Sequence, residues 1–417
     1  MTRPIKAGLG CSLLFLFLWA AETFVFRLID AENFATAIKW HPWLPFYMSR
    51  VQDVPIFTVI LVSLAILLPL SRFGKTFAIT ERHAFVGIGA LVGLVFVVVL
   101  WGSHGVYLNY PLSMDEYFAD YQALVYANGA TGVLVPEEWA PYRTALFHRF
   151  LQLLDSGTLW FGAYLPVHSL FRAPFSLLGA PSILNALAVS GSVGLTAIIA
   201  RRLYPHDLWA PIAATLLMAG SAQILIVGMS AYAHTMHLFL NLVWLALFLS
   251  DRRWAFVLLP WIGALAIGLH QVHYHLLFAF PFFVCLAFQR RWRWLLYACP
   301  IYAVAFLGFT NWFRIAEIII TNSGSVGATE LTTSYFQSAA GIATSSSTWL
   351  YSSLAGSLNI FRLVAWQHLI LLPLAAVALF HWRRLPLVVK LLVIGCAITL
   401  AVRLLGTPNP GHQWGYR

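Results

Sequence analysis

Charge is what this chain has least of: Asp, Glu, Lys and Arg together make up 10% of its 417 residues. Soluble domains carry roughly 25% charged residues, so a soluble globular class is excluded, and a solvated disordered chain would need still more charge. Cysteine is scarce too. Cys11, Cys285, Cys299 and Cys396 each lie inside an apolar run and share no paired spacing. They read as lipid- or core-facing packing residues, without the spacing of a cysteine metal site. Segments that alternate apolar and polar residues, the mark of a transmembrane barrel, are lacking as well, so helices are expected over strands.

What fills the chain is apolar: 60% hydrophobic and 15% aromatic residues, with a mean hydropathy of +0.78. Crossing about 30 Å of hydrocarbon takes roughly 20 apolar residues as a helix. Runs of about that length fall at 7–29, 54–71, 84–101, 182–200, 208–226, 233–249, 254–269, 272–288, 295–311, 363–381 and 387–403. The expected class is therefore all-α, a polytopic transmembrane bundle of about eleven spans. Residues 7–29 are read as an uncleaved anchor, since their apolar core is long for a signal peptide.

The basic residues order these spans. With the N-terminus cytoplasmic, alternate loops hold fourteen Lys and Arg, from Arg3 and Lys6 to Arg383 and Arg384, against the three acids Glu81, Asp207 and Asp251. The opposite face holds eleven acids. Such asymmetry marks cytoplasmic loops, and it accounts for the net charge of +10 without any nucleic-acid partner. The expected setting is a multi-pass protein of a bacterial inner membrane, with the lipid bilayer as its first partner.

Four regions follow. Residues 1–83 form a transmembrane hairpin whose outer loop is rich in Trp40, Pro42, Trp43, Pro45 and Phe46, residues suited to the headgroup level. Residues 84–311 form a core with a large outer loop at 102–181, where Leu124, Val125, Leu146, Phe150, Leu151 and Leu154 suit amphipathic helices on the membrane surface. Residues 312–362, rich in Ser, Thr, Gly and Ala, read as a flexible outer loop. Residues 363–417 form a final pair of spans and a tail.

Three polar clusters come to the outer face. Ser113-Met114-Asp115-Glu116-Tyr117-Phe118-Ala119-Asp120 places three carboxylates just past a span, with Glu116 and Asp120 one helical turn apart. Carboxylates serve as general bases or as oxygen ligands for Mg²⁺ or Mn²⁺, so Asp115 and Glu116 are also candidates to hold a divalent cation. His270, His273 and His275 lie where one span ends and the next begins. If that stretch is helical, His270 and His273 share a face and His275 points elsewhere; the three suit phosphate or substrate contact, a zinc ion, or interfacial packing. Tyr232, His234 and His237 open another span toward the same face. The tail from His412 to Arg417 offers Trp414, Tyr416 and Arg417, groups that stack on sugars and hold phosphate, or equally anchor a terminus in headgroups; the chain stops so soon after them that a truncated C-terminus is expected as an alternative.

Across 84–311 this pattern resembles the GT-C superfamily of membrane glycosyltransferases, the class of the protein O-mannosyltransferases and of the lipid-linked sugar transferases. The likeness consists of a span, then Met114-Asp115-Glu116-Tyr117 in the first large outer loop, then a span ending Ala200-Arg201-Arg202-Leu203-Tyr204, then closely spaced helices. The chain departs from that pattern in placing the acidic motif after its third span. The resemblance implies a donor sugar on a polyprenyl phosphate, an acceptor that is a lipid, glycan or protein, and Asp115 as the acidic group of the first outer loop, with Glu116 assisting. On that footing Asp120, Tyr232, His234, His270, His273, His275, Trp414, Tyr416 and Arg417 are the expected substrate- and phosphate-binding residues. Two other classes stay open: a flippase or transporter of lipid-linked sugars, for which spans nearly free of charge are a poor fit, and a polysaccharide polymerase or ligase.

Overall fold

A computed structural model of the chain describes residues 3–28, 79–142, 151–154, 159–250, 252–321, 367 and 371–406. They fall into two compact units. One comprises Met1–Ile79, Gly220–Gln223 and Tyr335–Arg417; the other comprises Thr80–Ala219 and Ile224–Ser334.

In the first unit α1 (Arg3–Leu28) packs against the helix Leu371–Phe380, and the helix Leu387–Gly406 follows a short 3₁₀ turn at Trp382–Arg384. The Lys390 ammonium reaches back to the Arg383 carbonyl at 3.4 Å.

The second unit carries the polar clusters. α2 (Glu81–Trp101), capped by the Thr80 side chain, runs on into a π-helical turn at Gly102–Val106. α3 (Met114–Ala127) follows, and after a three-stranded sheet come α4 (Pro166–Leu177), α5 (Ser182–Leu203), α6 (Trp209–Ala219), α7 (Ala222–Gly228) and α8 (His234–Phe248). α9 (Arg253–Ile267), α10 (Val272–Phe288), α11 (Trp292–Thr310) and α12 (Trp312–Thr321) complete it. α5 is the hub, packing on α2, α4, α6 and α8. Its small residues permit the close approach: a Cβ on Gly191 would stand 2.7 Å from the Phe239 ring. The hydroxyls of Ser190 and Ser192 are satisfied four residues back, at 2.8 and 2.7 Å, as small and hydroxyl residues are at helix contacts in lipid. Val95 and Val99 of α2 meet Ala186, Val189 and Val193 of α5 in one apolar cluster.

Among the described residues, three helices are long and apolar enough to cross a membrane: Glu81–Val106, Ser182–Leu203 and Trp292–Thr310. α6 and α7 pass that test only as a pair bent by 56°. Among the other apolar runs, α8 and α9 are helices of 15 residues and α10 of 17, because turns at Ser250, at His270 and at Arg290 consume the run ends. The count of eleven spans is thus not reproduced among the described residues; 54–71 and most of 363–370 lie outside them.

The outer loop departs from its expected amphipathic helices. α3 and α4 are helical, but Leu151 and Leu154 belong to a strand. β1 (Val133–Leu134), β2 (Leu151–Leu154) and β3 (Leu159–Gly162) form an antiparallel sheet in the order β1-β3-β2, with Leu151 opposite Gly162 and Val133 opposite Trp160. Aliphatic and aromatic residues either side of Asp155-Ser156-Gly157 carry strand and turn preferences, which the spacing of the leucines masks. Gln122 ties α3 to this sheet, accepting from the Gly162 N–H at 2.7 Å and donating to the Thr131 carbonyl at 2.9 Å. The segment expected as a flexible loop at 312–362 begins instead as helix α12; its remainder, like the loop around Trp40 and Trp43, lies outside the described residues.

Deep among α8, α10 and α11 the His275 ring joins Asn241 at 2.7 Å and the Tyr302 hydroxyl at 2.8 Å, with Gly263 of α9 alongside. A Cβ on Gly263 would fall 1.9 Å from the Tyr302 oxygen and 2.8 Å from His275 Nε2. Gly263→Ala is expected to cost roughly 1–3 kcal/mol by overpacking. Gly308→Ala, where nothing lies within 4 Å, is expected to leave the thermal midpoint in detergent unlowered. Equal melting of the two variants would disprove the contact.

Candidate functional site

The acidic motif begins as a capped helix. Ser113 is the N-cap of α3, extended at φ −139°, ψ 159°, and its hydroxyl accepts from the Glu116 N–H at 3.4 Å. Asp115 and Glu116 thereby occupy the first turn, where the helix dipole favours carboxylates. In a capping box the glutamate three residues on would reach back to the cap's own N–H. Here Glu116 instead accepts from the Ala231 N–H at 3.2 Å and from the Ser113 hydroxyl at 3.3 Å.

That detour belongs to a larger arrangement. The chain between α7 and α8 is held at nearly every polar group by side chains from four other places. The Ser103 hydroxyl donates to the Met229 carbonyl at 2.9 Å. Asn185 donates to the carbonyls of Ser230 at 2.6 Å and Tyr232 at 3.0 Å. His168 Nε2 lies 2.9 Å from the Ala231 carbonyl, and since a carbonyl only accepts, Nε2 carries the proton. The Tyr232 hydroxyl stands 2.8 Å from that of Ser113. This turn delivers His234 and His237 at the start of α8, so the site is pinned by side-chain bonds across long sequence distances.

Glu116, 2% exposed, is accordingly a strap between α3 and the 229–232 turn, and both of its oxygens are used. Burial first, then Asp120 beyond it, raises its pKa above the usual 4.5 in spite of the Ala231 and Ser113 bonds and the more distant Arg172. Burial likewise pushes Tyr232 up to about 12. Asp115, next in sequence, points about 100° away around the helix. It is 6% exposed and accepts a hydrogen bond from the Tyr164 hydroxyl. Tyr164 stands two residues past β3 and stacks on His270 with ring centroids 4.9 Å apart. His270 in turn faces His234 at 5.8 Å, and His234 meets the edge of Tyr232 at 5.4 Å.

Asp120 pairs with Arg172 of α4, a guanidinium 3% exposed whose Nη1 has no partner among the described residues. His168, one turn earlier on α4, is lowered to about 3 by burial first, with the Arg172 charge adding to it, so the ring is neutral at every ordinary pH. His237 is buried as well, with neither ring nitrogen hydrogen-bonded among the described residues, and His168, His234, His270 and His275 all lie within electrostatic reach of it.

Of the residues expected at the site, Asp115, Glu116, Asp120, Tyr232, His234 and His270 are brought together. His275 is not: fully buried, it serves the Asn241–Tyr302 chain between helices. Nor do His270 and His273 share a helical face, because α10 starts at Val272. His270 precedes it and turns to Tyr164, whereas the His273 ring lies tilted against Tyr274, centroids 4.5 Å apart. Trp414, Tyr416 and Arg417 lie outside the described residues. Tyr164, His168 and Arg172 were not anticipated. Arg172 did leave a signal, being the single Arg or Lys between Arg149 and Arg201.

A divalent cation fits this donor set poorly. Mg²⁺ or Mn²⁺ wants several uncommitted oxygens. Here Asp115 faces Tyr164, Glu116 faces Ala231 and Ser113, and Asp120 faces Arg172. Among the described residues no group of three or more His, Cys, Asp and Glu is placed to hold a metal ion.

His168 and Glu116, both buried, act on stability in opposite senses. His168 is depressed, so the stability it confers is complete above pH 6.5 and lost as pH falls toward 3. Glu116 is raised, so its contribution is complete below pH 4.5 and lost as pH rises through its folded value. Glu116→Gln keeps an oxygen for the Ala231 N–H. It is expected to remove the loss above pH 4.5 and leave a steeper acid-side fall, read by thermal melting from pH 4 to 8. An unchanged pH profile would refute the strap assignment.

No family model, no curated protein and no solved structure matches the chain.

Proposed function

We propose that the chain is a multi-pass membrane glycosyltransferase. It moves a sugar from a polyprenyl-phosphate donor to a hydroxyl of a lipid, glycan or protein acceptor at the non-cytoplasmic face, and Asp115 is the general base. The observation that carries this reading is the Asp115 carboxylate itself, at the first turn of α3 just past an apolar helix, held by Tyr164, whose phenol stacks on His270. The GT-C-like order of motifs supports it independently.

The chemistry suits these groups. Polyprenyl phosphate departs as a stable anion, so no strong acid is needed. The acceptor oxygen attacks the anomeric carbon as the bond from that carbon to the phosphate oxygen breaks. Its proton passes to Asp115, and the electron pair leaves with the phosphate. A single displacement of this kind inverts the anomeric centre. Arg172 and His237 or His270 are the groups suited to the phosphate charge, Arg because its fork holds phosphate oxygens in pairs.

The test is transfer of radiolabelled sugar from a panel of polyprenyl-phosphate sugars by the full-length protein in detergent. Product from one donor, absent with boiled protein, supports the reading. Folded protein that transfers from no donor, yet moves a labelled lipid-linked sugar across a vesicle membrane, replaces it with the flippase.

A further inference from the structure

Five arginines gather at the end of the second unit where α9 and α11 begin. Arg252 is the N-cap of α9 and Arg253 its first residue; Arg291 is the N-cap of α11, Arg293 its second residue, and Arg290 precedes them. The two helix starts adjoin, since the Trp294 indole N–H donates to the Phe256 carbonyl at 3.4 Å and their rings stand 6.5 Å apart. All five arginines are exposed. The ion pairs among the described residues are Arg172–Asp120 and Arg201–Glu81, so none of the five meets an acid there. Neither helix has a side-chain cap or an acid in its first turn. Cations packed at the positive ends of two helices repel both one another and the helix dipoles, and Arg290 holds a left-handed φ of 58°, a conformation that favours glycine. Anionic charge against the five arginines would relieve that repulsion.

Around this patch the surface turns apolar. Trp254 and Trp292 are 51% and 56% exposed beside the arginines, and further along the same helices Val257, Leu258 and Leu296 are exposed too. Indoles of this kind sit at headgroup depth. A small phosphate would satisfy the arginines alone; a phospholipid satisfies both halves, its phosphodiester on the guanidiniums and its acyl chains along α9 and α11.

We propose that these five arginines form a docking surface for anionic phospholipid headgroups of the surrounding bilayer. The proposal rests on the reading of the chain as a membrane protein and is independent of sugar transfer.

The experiment is thermal melting of the full-length protein in neutral detergent micelles, titrated with phosphatidylglycerol, with phosphatidylcholine, or with inorganic phosphate. Phosphatidylglycerol at saturation is expected to raise the midpoint by roughly 2–4 °C, and the other two are expected to leave it in place. Arg290→Gln/Arg291→Gln/Arg293→Gln is expected to weaken the response about fivefold per charge removed. The triple Lys variant is expected to keep most of it. Arg383→Gln/Arg384→Gln, a basic pair of the first unit, is expected to respond like the native chain. Equal response to both lipids, a response to inorganic phosphate, or equal loss in the Arg383/Arg384 variant overturns the proposal. A triple Gln variant that does not fold leaves the comparison to the Lys triple and to the lipid pair on the native chain, either of which refutes it alone. Chain that is monodisperse without detergent or lipid overturns the membrane reading itself.

Discussion

Asp115→Asn is expected to lower sugar transfer by about 10² to 10⁴, the range of a positioned general base, while leaving the protein folded. Asn presents an oxygen to the Tyr164 hydroxyl just as Asp does, and its neutral side chain costs less to bury, so the melting midpoint should not fall. What it cannot do is take the acceptor's proton. The loss should therefore sit in kcat, with KM for the donor nearly unchanged, and Asp115→Glu should recover part of it. Activity that survives Asp115→Asn would return the proton transfer to another group, and Asp120 would be the next to test, because Glu116 is occupied by the 229–232 turn.

Tyr164 sharpens that test. A hydrogen bond donated to a carboxylate favours its ionised form. Tyr164→Phe should therefore move the acid limb of the pH–rate profile to higher pH, with a smaller fall in kcat than Asp115→Asn gives. A purely structural role for Tyr164 would lower stability and leave that limb in place.

Local signals wrote the visible part of this site. Ser113 before Met114, and carboxylates in the next turn, announce a helix start whatever lies around them, so α3 and the register of Asp115, Glu116 and Asp120 were legible. So were the apolar runs, though not their trimming by turns into helices of 15 to 17 residues. The histidines misled because a run of six residues gives no sign of where the helix begins; its start at Val272 sends His270 to Tyr164 and buries His275. β2 was hidden because Leu151 and Leu154 lie three apart, the spacing of one helix face, whereas in the strand they point to opposite sides. The partners of the carboxylates were out of reach for a different reason. Tyr164 lies 49 residues from Asp115, Arg172 52 from Asp120, and the Ala231 carbonyl 63 from His168. Nothing local encodes such pairings; they follow from how α3, α4 and the 229–232 turn converge.

The Asp120–Arg172 pair carries the largest expected effect on stability. Removing one partner of a buried pair leaves the other charge without compensation, at about 3–5 kcal/mol. The two partners differ in burial, the Arg172 side chain being 4% exposed and that of Asp120 28%. Asp120→Asn strands the buried guanidinium, whose Nη1 already has no partner among the described residues. The exposure of Asp120 screens the pair in part, so the expected cost is about 3 kcal/mol, the low end of that range. Arg172→Met strands only a carboxylate that water can reach and should cost less, roughly 1–2 kcal/mol. The double variant removes both charges and should be more stable than Asp120→Asn alone, since replacing a buried pair by apolar bulk is often neutral. Thermal melting of the four proteins in one detergent closes the cycle. If Asp120→Asn and Arg172→Met destabilise equally and add in the double variant, the pair is not what joins α3 to α4, and the packing of Phe118 and Ala119 with the Ser169 bond to the Ala119 carbonyl must hold them instead.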